Sequence, residues 1–146
     1  MSHNQLATQL PFTAITSDVI STRELEATVL SDEIGACVNF VGRVRNCDHG
    51  RSVTSLEYEA HPSATEVLAK IAQQIALQFD GVRIAAVHRT GKLLIGETAL
   101  GVVVAAEHRG EAISACGALV EEIKALVPIW KLQTFEDGTT ELVNCL

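Results

Sequence analysis

An uninterrupted apolar run from Ala99 to Ala106 limits the fold of this chain more than any other feature. The run is far shorter than the roughly 20 residues that a helix needs to cross a bilayer, so it predicts no membrane span. A strand that is apolar on both faces must be covered on both faces, and we therefore expect this segment at the centre of a sheet. The preceding segment "VRIAAVHRTG" is also strand-like, and Gly91 and Gly96 bracket the turn between the two strands.

The sequence before this region carries the signals of two helices. Ser21 and Glu24 stand at capping-box spacing and predict a short helix from Thr22 to Leu30. A second, amphipathic helix is expected to begin at Pro62 and to end at the Asp80-Gly81 pair. Its apolar residues recur at helical spacing and are Val67, Leu68, Ile71, Ile75 and Phe79.

The remaining segments predict one more helix and further strands. A third helix covers Glu111 to Val127, where Pro128 ends it. We expect it to bury Ile113, Cys116, Val120, Ile123 and Val127. The segments "IWKLQTF" and "ELVNC" then form a final hairpin around Asp137-Gly138.

Residues 36–59 are predicted to form a hairpin with a long polar tip, because two strand-like segments flank "NCDHGR". The first segment alternates, with Ala36, Val38, Phe40 and Val44 on the inner face and Asn39, Val41, Arg43 and Arg45 on the outer face. Together the segments predict an α+β fold, with three helices on a mixed or mainly antiparallel sheet, in a single domain over residues 1–146.

Composition excludes several classes of function. At 146 residues, 47% hydrophobic and a mean hydropathy of +0.23, the chain can build one domain with a substantial core. The net charge of −7 disfavours nucleic acid as a partner, since phosphate-backbone binding needs a basic surface. The N-terminal sequence has no basic segment followed by an apolar one, so we expect a cytoplasmic protein.

Motifs for metals and common cofactors are missing from the sequence. Cys37, Cys47, Cys116 and Cys145 form no CxxC pair, and the histidines show neither HxH nor HExxH spacing, so we predict no metal site and no disulfide framework. Cys116 falls on the apolar stripe of the third helix and is expected in the core. Without GxGxxG or GxxxxGK[ST], the sequence predicts no cofactor.

Basic residues gather in short clusters although the chain is acidic overall. The clusters are Arg43, Arg45 and Arg51; Arg83, His88, Arg89 and Lys92; His108 and Arg109; and Lys124 with Lys131. If folding brings several of them together, they could bind a small anion, because arginine offers a planar fork to phosphate or carboxylate. The alternative is that each cluster is an ordinary solvated surface.

Five segments in order resemble the large, catalytic subunit of molybdopterin synthase, the MoaE family. They are "GACVNFVGRVRN", "LEYEAHPSATE", "VHRTGKLLIGE", "VVVAAEHRGEAISACGALVEEIK" and "VPIWKLQ". The resemblance implies an α/β-hammerhead-like fold and a homodimer within a heterotetramer. It also implies a small ubiquitin-like sulfur-carrier subunit whose C-terminal Gly-Gly thiocarboxylate supplies sulfur to cyclic pyranopterin monophosphate, forming the dithiolene of molybdopterin for molybdenum cofactor biosynthesis.

The resemblance also implies roles for individual residues. Lys124 and Lys131 match the paired active-site lysines, and Arg45, His108 and Arg109 match substrate-binding positions. Further candidates are Phe40, Arg43 and Arg51, although the inward parity of Phe40 favours a core position. We expect Arg45, His108, Arg109, Lys124 and Lys131 to converge on one concave site.

The same residues could also have purely structural roles. Lys124 at a helix C-terminus would complement the helix dipole without any catalytic role, and His108-Arg109 could be ordinary loop residues. A non-catalytic anion-binding or scaffold homologue could share the fold without sulfur transfer, because function depends on the site. A transferase that acts without a protein partner is a third hypothesis.

Overall fold

The computed structural model describes residues 9–144, which fold into one α+β domain with three helices and two sheets. The helices are α1 (Thr22–Val29), α2 (Ala64–Gln78) and α3 (Arg109–Leu126). The strands are β1 (Phe12–Thr16), β2 (Ala36–Arg43), β3 (Cys47–Asp48), β4 (Arg51–Ala60), β5 (Arg83–Arg89), β6 (Gly91–Leu94), β7 (Thr98–Ala106), β8 (Ile129–Phe135) and β9 (Thr140–Asn144). The predicted fold class and all three predicted helices are confirmed, with small shifts at the helix ends.

The first sheet has four strands in the order β1-β5-β7-β2 and places the apolar run of β7 between two partners. β7 pairs antiparallel with β5 and with β2, whereas β1 pairs parallel with β5, so the sheet is mixed. α1 covers one face, where Leu25 and Val29 pack with Val103, and α2 and α3 pack on the opposite side. The central position predicted for this strand is therefore confirmed.

The second sheet has the order β3-β4-β8-β9, and β6 also pairs with β4. The predicted hairpin over residues 36–59 is wrong, because β2 pairs with β7 of the first sheet while β4 pairs with β6 and β8. Only the polar tip pairs locally, where Cys47 and Asp48 of β3 face Ser52 and Arg51 of β4. The alternation in β2 correctly gave its buried face, but this periodicity carries no information about the partner strand.

The structure differs from the sequence-based expectations in smaller ways as well. The segment between Gly91 and Gly96 contains the short strand β6 instead of only a turn, and β1 adds a strand that the patterning did not predict. Ile113 is 59% exposed, because the buried stripe of α3 runs through Ala112, Ala115, Cys116, Leu119, Val120 and Ile123. Cys116 is buried as expected, whereas Cys37 and Cys47 are exposed; Cys145 lies outside the described residues.

The two sheets share one apolar core, which also includes the inner faces of α2 and α3. The second sheet contributes Leu56, Tyr58, Ile129 and Phe135, and the predicted hairpin of β8 and β9 is confirmed. Side chains that are paired across antiparallel strands point to the same face of the sheet. This rule matters for the site, because Tyr58 of β4 is paired with Lys131 of β8.

Candidate active site

A cavity of about 340 Å³ lies between the two sheets, beside the C-terminal end of α3. Four of the lysine and arginine residues selected from the sequence line it, namely Arg43, Arg45, Lys124 and Lys131. They come from the end of β2 and the loop after it, from α3 and from β8, so only the tertiary fold brings them together. Several cations around one concave surface form a site for an anion.

Lys131 is held in this cavity by its position in the second sheet. Within β8, Ile129, Gln133 and Phe135 are buried, and Lys131 lies in the same inward-facing row. Tyr58 and Val143 are its paired residues on the two neighbouring strands, and both also line the cavity. The half-buried lysine is therefore fixed on a rigid strand and directs its ammonium group inward.

Lys124 reaches the same cavity because α3 ends abruptly. Lys124 lies in the last turn of the helix, where a cation also complements the helix dipole. The helix stops at Val127, as the sequence predicted from Pro128, and β8 begins immediately afterwards at Ile129. The carbonyl of Pro128 accepts a hydrogen bond from the backbone N–H of His61 at 3.0 Å, which fixes this sharp connection.

Arg43 and Arg45 flank a residue that is anchored in the core. Val44 is buried, its N–H donates to the carbonyl of Glu97 at 3.0 Å, and its carbonyl accepts from the N–H of Gly96 at 2.8 Å. Arg43 Nε also donates to the carbonyl of Gly96 at 3.1 Å, whereas Arg45 is exposed at the cavity. These contacts fix the backbone from which both guanidinium groups extend.

Two carboxylates, Asp48 and Glu141, also line the cavity. Gln133 Nε2 donates to Asp48 Oδ2 at 2.8 Å, and this hydrogen bond is the main reason that the pKa of Asp48 is lowered. The charges of His49, Lys131 and Arg45 lower the pKa further. The cavity therefore contains a fixed anion near its cations, and its positive charge is partly balanced before any ligand binds.

His88 also lines the cavity, but it differs from the surface cations with which the sequence grouped it. It is 1% exposed, and its Nδ1 lies 2.8 Å from the carbonyl oxygen of Arg89. Burial is the main reason that the pKa of His88 is lowered to about 4. The hydrogen bond to Arg89 raises this pKa and compensates in part, whereas the charge of Lys124 lowers it further. The imidazole is consequently neutral at physiological pH. The sequence does contain a signal that His88 is buried. In a strand, alternate residues share a face, and His88 stands two residues after Ala86 and four after Ile84, which both lie on the core face of β5.

The other candidates from the sequence do not line this cavity. His108 is the N-cap of α3 and Arg109 is its first residue, and both are exposed. At 1.5 Å per residue, Arg109 lies about 22 Å along the helix from Lys124. The expected convergence of all five residues is therefore not met within a single chain.

Phe40 and Arg51 also lie elsewhere. Phe40 is half-buried and packs against the main core, as its parity predicted. Arg51 stacks over the ring of Phe135 at 3.7 Å and donates from Nη2 to Thr139 Oγ1 at 2.6 Å. It belongs to a separate, shallow cavity at the turn between β8 and β9, which Asp137 also lines.

Residues 9–144 contain no group of three or more His, Cys, Asp or Glu side chains that could hold a metal ion. Across the same residues, no helix is both long enough and apolar enough to span a membrane. The ionisable groups that line the cavity are lysine, arginine, carboxylate, imidazole and phenol side chains.

Sequence comparison identifies close relatives over most of the chain. The chain is 40% identical to the molybdopterin synthase catalytic subunit of Bacillus subtilis (strain 168) over 125 residues, which is 85% of this chain and 80% of the relative. It is 35% identical to the catalytic subunit of the Homo sapiens enzyme, over 86% of this chain and 67% of the relative.

Structural comparison finds the same fold in solved proteins. The crystal structure of molybdopterin synthase from Staphylococcus aureus matches with a TM-score of 0.84 and 34% identity, covering 90% of this chain and 96% of that chain. A complex of subunits 1 and 2 of the molybdopterin-converting factor from Helicobacter pylori matches with a TM-score of 0.68 at 21% identity, over 94% of this chain and 90% of that chain, and supports the fold alone. The family model described as "MoaE protein" matches residues 15–126. This chain therefore belongs to the MoaE family.

Proposed function

We propose that this chain is the catalytic subunit of a molybdopterin synthase, a sulfurtransferase of molybdenum cofactor biosynthesis. It transfers sulfur from the C-terminal thiocarboxylate of a small ubiquitin-like partner to cyclic pyranopterin monophosphate. The observation that carries the proposal is the convergence on one cavity of Arg45 from the loop after β2, Lys124 from α3 and Lys131 from β8. Relatives named molybdopterin synthase catalytic subunit match most of the chain, which supports the proposal. We propose a cytoplasmic location as well.

The charges of the cavity suit this chemistry. A thiocarboxylate and a phosphate are both anions, and they repel each other unless fixed positive groups lie beside them. Cations that are held in place before the reaction stabilise developing negative charge without reorganisation. Lys131, half-buried on a central strand, is suited to a fixed position next to the reacting atoms. Lys124, which is exposed on a helix end, is suited to capturing the incoming carboxyl terminus.

The partner is proposed to reach the cavity with an extended Gly-Gly tail. An extended segment binds mainly through its main chain, and glycine allows close approach where a channel is narrow. The globular part of the partner would then remain at the surface while only the tail enters. Sulfur transfer would take place where this terminus meets Lys124 and Lys131.

His108 and Arg109 enter the proposal through a second copy of the chain. They begin α3, about 22 Å along the helix from Lys124, and do not line the cavity of their own chain. If they bind the substrate, they do so in the cavity of another subunit. This arrangement fits the homodimer within a heterotetramer that the family resemblance implies.

Replacing each lysine by alanine tests the proposal. In a reconstituted reaction with thiocarboxylated partner and cyclic pyranopterin monophosphate, we expect Lys131→Ala to lower single-turnover product formation at least about a hundredfold, and Lys124→Ala also to lower it. The matched control is Lys70→Ala, because Lys70 is an exposed lysine on α2 that pairs with Glu66. Circular dichroism should show the same fold in all variants.

Two results would contradict the proposal. If Lys131→Ala and Lys124→Ala both form product as fast as the Lys70→Ala control, the lysine pair has no catalytic role. If the parent protein binds the partner and the substrate but forms no product, the chain is a non-catalytic scaffold homologue. Sedimentation of the chain as a monomer at high micromolar concentration would separately contradict the homodimer.

A further inference from the structure

His88 occupies a position where the fold would accept an apolar side chain. It lies in the same row of β5 as Ile84 and Ala86, and it is paired with Leu100 of β7, which is also in the core. The ring of Tyr58 contacts it edge-on, with the two ring centroids 5.1 Å apart. His88 is thus the residue at which the row of core side chains on β5 reaches the wall of the charged cavity.

The hydrogen bond to Arg89 fixes the tautomer of the neutral ring. Nδ1 lies 2.8 Å from a backbone carbonyl, which can only accept, so the proton of the neutral ring is on Nδ1. Nε2 therefore carries a lone pair and can only accept a hydrogen bond. Among residues 9–144, this buried nitrogen has no hydrogen-bond partner.

A buried acceptor that lacks a partner costs free energy, so its retention at a cavity wall points to a ligand. The cavity otherwise offers the donors of Arg43, Arg45, Lys124 and Lys131, which suit the anionic groups of a ligand. A pyranopterin ring system also carries N–H and O–H donors, which need acceptors. A neutral imidazole can accept from them without repelling the phosphate, whereas a carboxylate such as Asp48 would repel it.

We propose that Nε2 of His88 accepts a hydrogen bond from an N–H or O–H group of the pyranopterin substrate and thereby positions the ring system in the cavity. This inference rests on the proposed function, because that function supplies the substrate. His88 would be a binding residue in direct contact with the substrate, and the lysines and arginines would hold the anionic groups beside it.

Two substitutions separate this role from a purely structural one. His88→Gln can place its amide oxygen near the position of Nε2, whereas His88→Asn can only replace Nδ1 and its hydrogen bond to the Arg89 carbonyl. Calorimetry with cyclic pyranopterin monophosphate should show about tenfold weaker binding for His88→Asn and binding within about threefold of the parent for His88→Gln. If His88 acts only through its hydrogen bond to the Arg89 carbonyl, His88→Asn should bind the substrate more tightly than His88→Gln, which would contradict the proposal.

Nitrogen-15 NMR of the ring tests the same contact without any substitution. In the parent chain at neutral pH, Nε2 should give a resonance typical of an unprotonated nitrogen, and saturating substrate should move it in the direction of a hydrogen-bonded acceptor. An Nε2 that carries the proton, or one that does not respond to bound substrate, would overturn the proposal.

Turnover of the parent with thiocarboxylated partner distinguishes failure of this inference from failure of the proposed function. A parent that binds the substrate but transfers no sulfur contradicts only the proposed function, and the two variants and the spectrum still decide the role of His88. A parent that does not bind the substrate contradicts both.

Discussion

The two sheets bury their residues in different ways. In the four-stranded sheet every residue of β7 from Ala99 to Ala106 is buried, because helices pack on both faces. In the second sheet β4 alternates, so that Leu56 and Tyr58 are buried while Glu57 between them is exposed. The first sheet is thus apolar at its centre and reaches the cavity only through His88 of β5 and the end of β2, whereas the second sheet presents Lys131 from the middle of its inner face. The cavity therefore lies where the two sheets meet, beside the apolar interior of the first sheet.

A buried charge in the first sheet should have the largest effect. Val103 is fully buried between β7 and α1, so Val103→Asp is expected to lower the free energy of unfolding by about 4 kcal/mol or more, enough to unfold many domains. The matched change is Leu132→Asp on the outer face of β8, at a residue that is 37% exposed. It should cost only about 1 kcal/mol. Urea unfolding of both variants, followed by circular dichroism, measures the difference, and similar losses would show that the two sheets do not differ as described.

Lowering the pH should reduce the stability of the fold through protonation of His88, which lies where the first sheet meets the cavity. Its pKa falls from 6.5 in the unfolded chain to about 4 in the folded chain, so the unfolded state binds more protons between these values. This contribution to stability is complete above pH 6.5 and is lost as the pH falls to 4. The loss corresponds to about 3 kcal/mol.

The His88→Gln variant isolates this effect, because the acidic residues titrate in both proteins. Denaturant unfolding of parent and variant should be compared at pH 7.5, 6, 5 and 4. We expect the difference in unfolding free energy between them to change by about 3 kcal/mol in favour of the variant as the pH falls. A difference that stays constant over this range would mean that His88 titrates normally in the folded chain.

Loss of Arg51 should have the smallest effect of the three changes. Arg51 stacks on Phe135 and donates to Thr139 at the turn of the second sheet, but its side chain is 46% exposed. Such contacts at a solvated position contribute little, so Arg51→Ala should lower the unfolding free energy by less than about 1 kcal/mol. If thermal and urea unfolding show a loss close to that of Val103→Asp, the second sheet is more important for stability than its exposure indicates.

Much of the first sheet could be predicted from the sequence. A continuous apolar run can be stable in water only if both faces are covered, so the central position of β7 followed directly from composition. The helices were also predictable, since capping at Ser21 and termination at Pro128 are local. Ile113 was predicted on the wrong side of α3, because alanines occupy much of the buried face and give only a weak apolar signal.

The candidate site was predictable only in part. The resemblance to a known family selected Lys124, Lys131 and Arg45, and these residues do line one cavity. The resemblance also led us to expect His108 and Arg109 in the same site, although the predicted helix from Glu111 to Val127 already placed them at its opposite end from Lys124. His88 was grouped with surface cations, because a short basic cluster gives no information about burial.

The sequence by itself determined the buried faces of β2 and α2 and the central position of β7, and it indicated the family through ordered motifs. The tertiary structure decided which segments meet: it paired β2 with β7, turned Lys131 inward beside Tyr58, and placed His88 at the wall of the cavity. Hydrophobic periodicity reports only whether a side chain leaves water, since burial against any apolar partner gives a similar gain. A binding cavity depends instead on contacts between residues that are far apart in the chain, and these contacts exist only after the two sheets have packed on their common core.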